Sequence, residues 1–89
     1  MLRRVAGNSM HPALRKGNVV LATRWWRTLR AGDVVIFEHK GLEKIKRISM
    51  IKAEKLRVTG DNAVQSTDSR TFGFIPRSSV VAKVVWPRA

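Results

Sequence analysis

The apolar residues of this chain come in runs too short for anything but strands. The longest, residues 19–22 and 34–37, hold four residues each, and β-branched side chains dominate them. Gly, Asp or Asn stands near most of their ends. Such runs favour strands, since a helix needs ten or more residues of 3.6 periodicity. Strands are expected at residues 4–6, 18–23, 33–38, 42–51, 55–59 and 79–86. Lys16-Gly17-Asn18, Ala31-Gly32-Asp33 and Gly60-Asp61-Asn62 supply turn chemistry between them. Residues 12–15 have room for one helical turn, and residues 23–29 read as either loop or helical turn. The expected fold is all-β, a small twisted sheet or partly open barrel forming one domain over residues 1–89.

Runs this short also exclude a transmembrane helix, which needs ~20 apolar residues. The opening MLRRVAGNSM leaves no room for the apolar core of a signal peptide. The expectation is a cytoplasmic or peripheral membrane protein. There is no Cys, so no disulfide, and two His make a poor ligand set for a metal. No metal and no other cofactor is expected.

Charge narrows the partners. Lys and Arg number 18 against 6 Asp and Glu, a net charge of +12. That balance favours nucleic acid, an anionic lipid surface or an acidic peptide. A nucleic-acid-binding strand face interleaves aromatics with cations. The strands here carry aliphatics instead, so a non-catalytic basic nucleic-acid module is the disfavoured alternative. Trp25 and Trp26, flanked by Arg24 and Arg27, read equally as an anchor for an anionic membrane surface or as cover for the core edge. Trp86, ending an apolar strand, is expected in the core.

The segment at residues 42–51 contains a lysine in an unusual setting. Alternation along a strand puts Lys46, Ile48 and Met50 on one face, with Ile45, Arg47, Ser49 and Ile51 on the other. A lysine sharing a face with Ile and Met is a candidate for partial burial. Burial disfavours the ammonium and lowers the pKa.

Three further boxes stand in order around that lysine. Gly7-Asn8-Ser9-Met10-His11-Pro12 precedes it, followed by Gly32-Asp33-Val34-Val35-Ile36-Phe37; Gly60-Asp61-Asn62, Ser66 and Asp68-Ser69-Arg70 follow it. In this combination and order the chain resembles the signal peptidase I family over residues 5–87. The resemblance implies an all-β catalytic core and a serine endopeptidase acting on a polypeptide precursor. It implies Ser9 as nucleophile and Lys46 as general base, with Ser66 holding the Lys46 amine. Asp68 and Arg70 would pair to brace the loop that Gly60 and Asn62 shape. Val5, Met10, Leu14 and Ile45 would line a small apolar pocket selecting small residues next to the cut. Many bacterial members carry a Ser where this chain has Gly7; the backbone N–H of Ser9 would then remain as oxyanion donor, and Gly7 would let the substrate backbone approach. Only residues 47–59 separate Lys46 from Gly60, where larger members insert an extra β region. In this the chain is similar to the short relatives that mature nickel superoxide dismutase by removing an N-terminal extension.

The chemistry has its own logic. A serine hydroxyl is a weak nucleophile until a neighbour accepts its proton, and lysine can accept it only as the neutral amine. At a pKa near ~10.4, about one lysine in a few thousand is neutral at pH 7, and each unit of lowering raises that fraction roughly tenfold. Lys44, on the same strand face, is the rival base. His11 and His39 would be needed for a Ser-His-Asp arrangement, but His11 lies two residues from Ser9 and no motif surrounds His39. A self-cleaving repressor-type domain also uses a Ser-Lys pair. It normally lacks the loop from Gly60 to Arg70 and carries a DNA-binding domain, for which 89 residues leave no room.

Overall fold

The computed structural model describes residues 1–62 and 67–88. Seven strands, β1 (Leu2–Arg4), β2 (Val19–Thr23), β3 (Val34–His39), β4 (Leu42–Lys52), β5 (Lys55–Thr59), β6 (Ile75–Pro76) and β7 (Val80–Trp86), form one sheet in the order β1-β2-β7-β3-β4-β5-β6. Every pairing is antiparallel. The only α-helix among the described residues is the single turn α1 (Ser69–Phe72). The fold is all-β, as the short apolar runs require.

β3 holds the centre, and it explains where the core lies. Val34, Val35, Ile36 and Phe37 are all buried, so both faces of the strand are covered. Val35 and Phe37 join Leu29, Ile48, Leu56, Val58, Ile75 and Val80 in one cluster. Val34 packs with Val5, Met10, Leu14 and Val20 in another, and Ile36 packs with Ala22 and Ala82 in a third. Because alternate residues serve different clusters, β3 reads as a continuous apolar run rather than an alternating one.

Several expectations shift. The first strand lies at Leu2–Arg4 rather than at residues 4–6, because the chain turns away after Val5, whose N–H still reaches the Asn18 carbonyl at 2.7 Å. The two-residue β6 and the four-residue α1 were not expected; elements so short carry no hydrophobic period. Met50 does not share the buried face with Lys46 and Ile48. The β4–β5 register shifts between Ile48 and Met50, which breaks the alternation, and Met50 is exposed. Trp86 is not in the core either: it is 58% exposed, on a strand end that the sheet leaves uncovered. The Trp25–Trp26 ambiguity resolves residue by residue. The segment is a loop in which Trp25 stands in solvent while Trp26 packs against the core beside the Arg77 guanidinium.

Candidate active site

Ser9 sits in a tight turn between β1 and β2. The His11 N–H donates to the Asn8 carbonyl at 3.1 Å, and the Leu14 N–H to the Met10 carbonyl at 2.9 Å. These bonds make a run of tight turns over residues 8–14 rather than the helical turn expected at residues 12–15. Met10 and Leu14 are both fully buried against Val5, Val20 and Val34. Two large apolar plugs thus fix the turn to the sheet and present the intervening hydroxyl segment to β4.

Lys46 meets it there. Register pairs Lys46 with Val35, which puts the lysine on the face of the cluster containing Ile48 and Val58. Its side chain is only 6% exposed, and Nζ lies 2.6 Å from Ser9 Oγ. Burial is the main cause that lowers the Lys46 pKa from its ordinary value. The Asp68 carboxylate opposes that shift, while the Lys44 and Arg70 cations add to it. In the ammonium form Nζ donates to Oγ, whereas in the amine form the Ser9 hydroxyl donates to Nζ. The second arrangement is the one poised for proton transfer.

Lys44, the rival base, is held elsewhere. Its amine lies 4.9 Å from the Phe72 ring centroid and 3.4 Å from His39 Nδ1. His39 stacks on Phe72, with centroids 4.2 Å apart. Its pKa is lowered, first by partial desolvation and then by Lys44 and Lys40.

The loop after β5 is fastened on three sides, and each fastening uses a residue of the Gly60-to-Arg70 box. Asp68 is fully buried. Its carboxylate accepts from the Gly60 N–H at 2.7 Å, from the Arg70 N–H at 3.0 Å as the cap of α1, and from the Arg70 guanidinium at 3.0 and 2.5 Å. Arg70 also donates to the Gly60 carbonyl at 3.3 Å. Asp68 and Arg70 therefore grip both backbone polar groups of Gly60. Asn62 reaches the other way, its backbone N–H donating to the Ser9 carbonyl at 2.8 Å. That bond ties the loop directly to the serine turn. Ser66 lies outside the described residues.

The third fastening was not foreseen. Arg47 makes a bidentate pair with Asp61 at 2.9 and 2.8 Å and donates to the Gly32 carbonyl at 2.8 Å. Strand alternation turns Arg47 away from the pocket, and Asp61 stood inside a recognised box without a role. Putting those two readings together would have found the pair. Ser69 does similar work on the far side, its Oγ accepting from the Val58 N–H at 2.8 Å and seating α1 on β5. Among the described residues no buried side-chain polar atom lacks a partner. A site full of buried polar groups is tolerated when every one is satisfied.

A cleft of about 580 Å³ opens beside Ser9 and Lys46, between residues 3–10 on one side and residues 43–46 on the other, with Thr67 also contributing. Of the four residues expected to line an apolar pocket, Val5, Met10 and Ile45 do so. Leu14 does not; it is fully buried among the core side chains. Gly7 lines the cleft with φ of +78°, a conformation that a side chain would strain. Arg3 and Glu43 face each other from the two walls, joined by hydrogen bonds of 2.7 and 3.2 Å. Among the described residues no group of His, Cys, Asp and Glu is arranged to hold a metal.

Residues 39–88 match a family model described as signal peptidase, peptidase S26. The matched stretch contains Lys46, Gly60, Asn62, Asp68 and Arg70, while Ser9 precedes it and is joined to it by the contacts above. No curated protein matches the chain.

Proposed function

The chain belongs to the signal peptidase, peptidase S26 family, and on that premise we propose that it is a serine endopeptidase using Ser9 as nucleophile and Lys46 as general base. Its substrates are polypeptide precursors, from which it removes N-terminal signal or propeptide segments after small residues. The observation carrying this reading is the 2.6 Å separation of a buried lysine amine from a serine hydroxyl at the edge of an open cleft.

In the proposed reaction, the Ser9 hydroxyl proton passes to the neutral Lys46 amine as Oγ bonds to the scissile carbonyl carbon. The tetrahedral oxyanion is met by the Ser9 backbone N–H. On collapse the C–N bond breaks, and the Lys46 ammonium returns its proton to the departing amine. Water, activated by the same amine, then releases the acyl group from Ser9. Desolvation keeps the amine available, and substrate filling the cleft would strengthen the effect by excluding water. Asp68, Arg70, Gly60 and Asn62 act as positioning residues through the Asn62–Ser9 backbone bond. Ser66, between Asn62 and Asp68 in sequence, is proposed to hold the amine.

Val5, Met10 and Ile45 make the apolar wall next to the nucleophile, which suits a small side chain before the cut. Among the described residues β1 is an edge strand of the sheet and lines the cleft, so an extended peptide can add to it as a strand. A nickel superoxide dismutase propeptide is one narrower substrate within this reading.

The test is mass spectrometry of products from candidate precursors, a superoxide dismutase propeptide among them, with native protein and the Ser9→Ala variant side by side. Cleavage after a small residue by the native chain alone is expected. Identical products from Ser9→Ala would overturn the assignment.

A further inference from the structure

The cleft beside Ser9 changes character along its length. Next to the nucleophile its walls are apolar: Val5 and Ile45 line it and pack in one cluster. Two residues further back along each wall stand Arg3 and Glu43, which also line it. Alternation puts Glu43 on the same side of β4 as Ile45. The inner pair of positions is thus greasy and the outer pair ionic.

The outer pair is built to hold a guanidinium still. Arg3 Nε donates to Glu43 Oε1 at 2.7 Å, Nη2 to Oε2 at 3.2 Å, and Nη1 to the Leu2 carbonyl at 2.9 Å. Glu43 takes the Nε side of the fork, and these three bonds do not exhaust its N–H donors. Both side chains stay open to the cleft, at 37% and 36% exposed.

Charge at this end is one-sided. Glu43 is the only carboxylate among the described residues that line the cleft, and Arg3 already answers it. Arg4 and Lys44 line the cleft as well, and neither is paired with a carboxylate among the described residues. Arg24 acts with Arg3 in lowering the Glu43 pKa, so a further cation lies within reach. Lys46 adds no charge when it works, because it must then be neutral.

A peptide in extended form turns alternate side chains to one wall, about 7 Å apart. With the small side chain before the cut against Val5 and Ile45, the side chain two residues earlier meets Arg3 and Glu43. A large apolar group there would strip water from an ion pair, and a lysine or arginine would face like charge. A carboxylate is received by the remaining Arg3 donors, with the surrounding cations outweighing Glu43.

We propose that Arg3 is a specificity residue that selects an acidic side chain two residues before the cut. The position relative to the cut rests on the protease reading. The substrate class is then a precursor with a small residue at the end of its removed segment and a carboxylate two places earlier.

The test uses the full chain and three fluorescent peptides that carry Ala before the cut and differ only two residues earlier, as Glu, Gln or Lys. Cleavage by native protein is read as kcat/KM. Affinity is read separately as Kd on the Ser9→Ala variant by fluorescence anisotropy, so recognition is measured whether or not a bond is cut. The Glu peptide should exceed the Gln peptide by about threefold to tenfold in both readings, with the Lys peptide below Gln. The gap should narrow at high salt. Arg3→Gln, checked for folding by circular dichroism, should bring the Glu-to-Gln ratio to about one, while Arg3→Lys should keep part of the preference. Equal handling of the Glu and Gln peptides by native protein and by Ser9→Ala would overturn the proposal. So would an undiminished ratio in Arg3→Gln. Preferential binding of the Glu peptide to Ser9→Ala, with no peptide cleaved by native protein, would support the acidic subsite and strike the protease reading instead.

Discussion

The cleft and the outer face of β1, β2 and β7 break the usual partition of side chains in opposite directions. Around Ser9 the chain buries polar groups: Lys46 and Asp68 are nearly or wholly inaccessible. On the outer face it exposes Leu2, Leu21 and Trp86, which stand opposite one another in register. Among the described residues every buried side-chain polar atom has a hydrogen-bond partner within the chain. The exposed apolar groups have no such internal answer. A buried polar group must find its partner inside the fold, whereas an apolar side chain at the surface can be left to water at little cost.

The sharpest way to break that comparison is at the dyad. Ser9→Ala and Lys46→Met should each lower peptide cleavage by about a thousandfold or more while leaving the far-ultraviolet spectrum unchanged. Undiminished turnover in either would mean that the buried pair is structural.

Next in size is Asp68→Ala. It strips the acceptor from the buried Gly60 N–H and from the α1 cap, and urea denaturation should show a loss of about 2–4 kcal/mol. Cleavage should fall as well, because Gly60 and Asn62 transmit the loop's position to Ser9. A loss under half a kcal/mol would show that the loop is held without it.

The amine provides a pH test. Burial lowers the Lys46 pKa in the folded state below its ordinary value of 10.5. Activity should therefore rise with pH through that lowered pKa and level off before 10.5. Between the lowered pKa and 10.5, the unfolded chain holds a proton on Lys46 that the folded chain has released. Stability gains from Lys46 as pH rises through that window, and the full penalty applies below it. Comparing denaturation of native protein and Lys46→Met should thus show the variant favoured at neutral pH, with its advantage shrinking as pH approaches 10.5. A pH-independent difference and a flat activity profile would leave the amine unperturbed.

The smallest effect belongs to the outer face. Leu2→Ser and Trp86→Ser should each change thermal stability by no more than about 0.5 kcal/mol, since neither is enclosed. A larger loss would mean that the row contributes to the fold.

Much of the scaffold was legible because its signals are local. Residues 55–59 form β5 with the expected bounds, and β2, β3, β4 and β7 lie within a residue of expectation at each end. The order of the sequence boxes points to Ser9, Lys46, Asp68 and Arg70, and the fold brings Lys46 to Ser9 and Arg70 to Asp68. Leu14 was misjudged because an apolar residue near a nucleophile can line a pocket or hold up the turn behind it, and sequence does not separate the two. Met50 failed because a register shift cancels alternation without changing composition. The Asp61–Arg47 pair went unseen because two residues far apart in sequence met only once β4 and the loop after β5 had folded together.

Residue spacing by itself determined that this chain folds as strands and that Lys46 shares a face with Ile48. These follow from periodicity and turn chemistry, which act over a few residues. Only the tertiary structure decided that Nζ and Oγ stand 2.6 Å apart, that Asn62 is tied to the Ser9 backbone, and that Leu2, Leu21 and Trp86 form one uncovered row. Those outcomes depend on register between strands that are distant in sequence, and register is set by how the whole core packs.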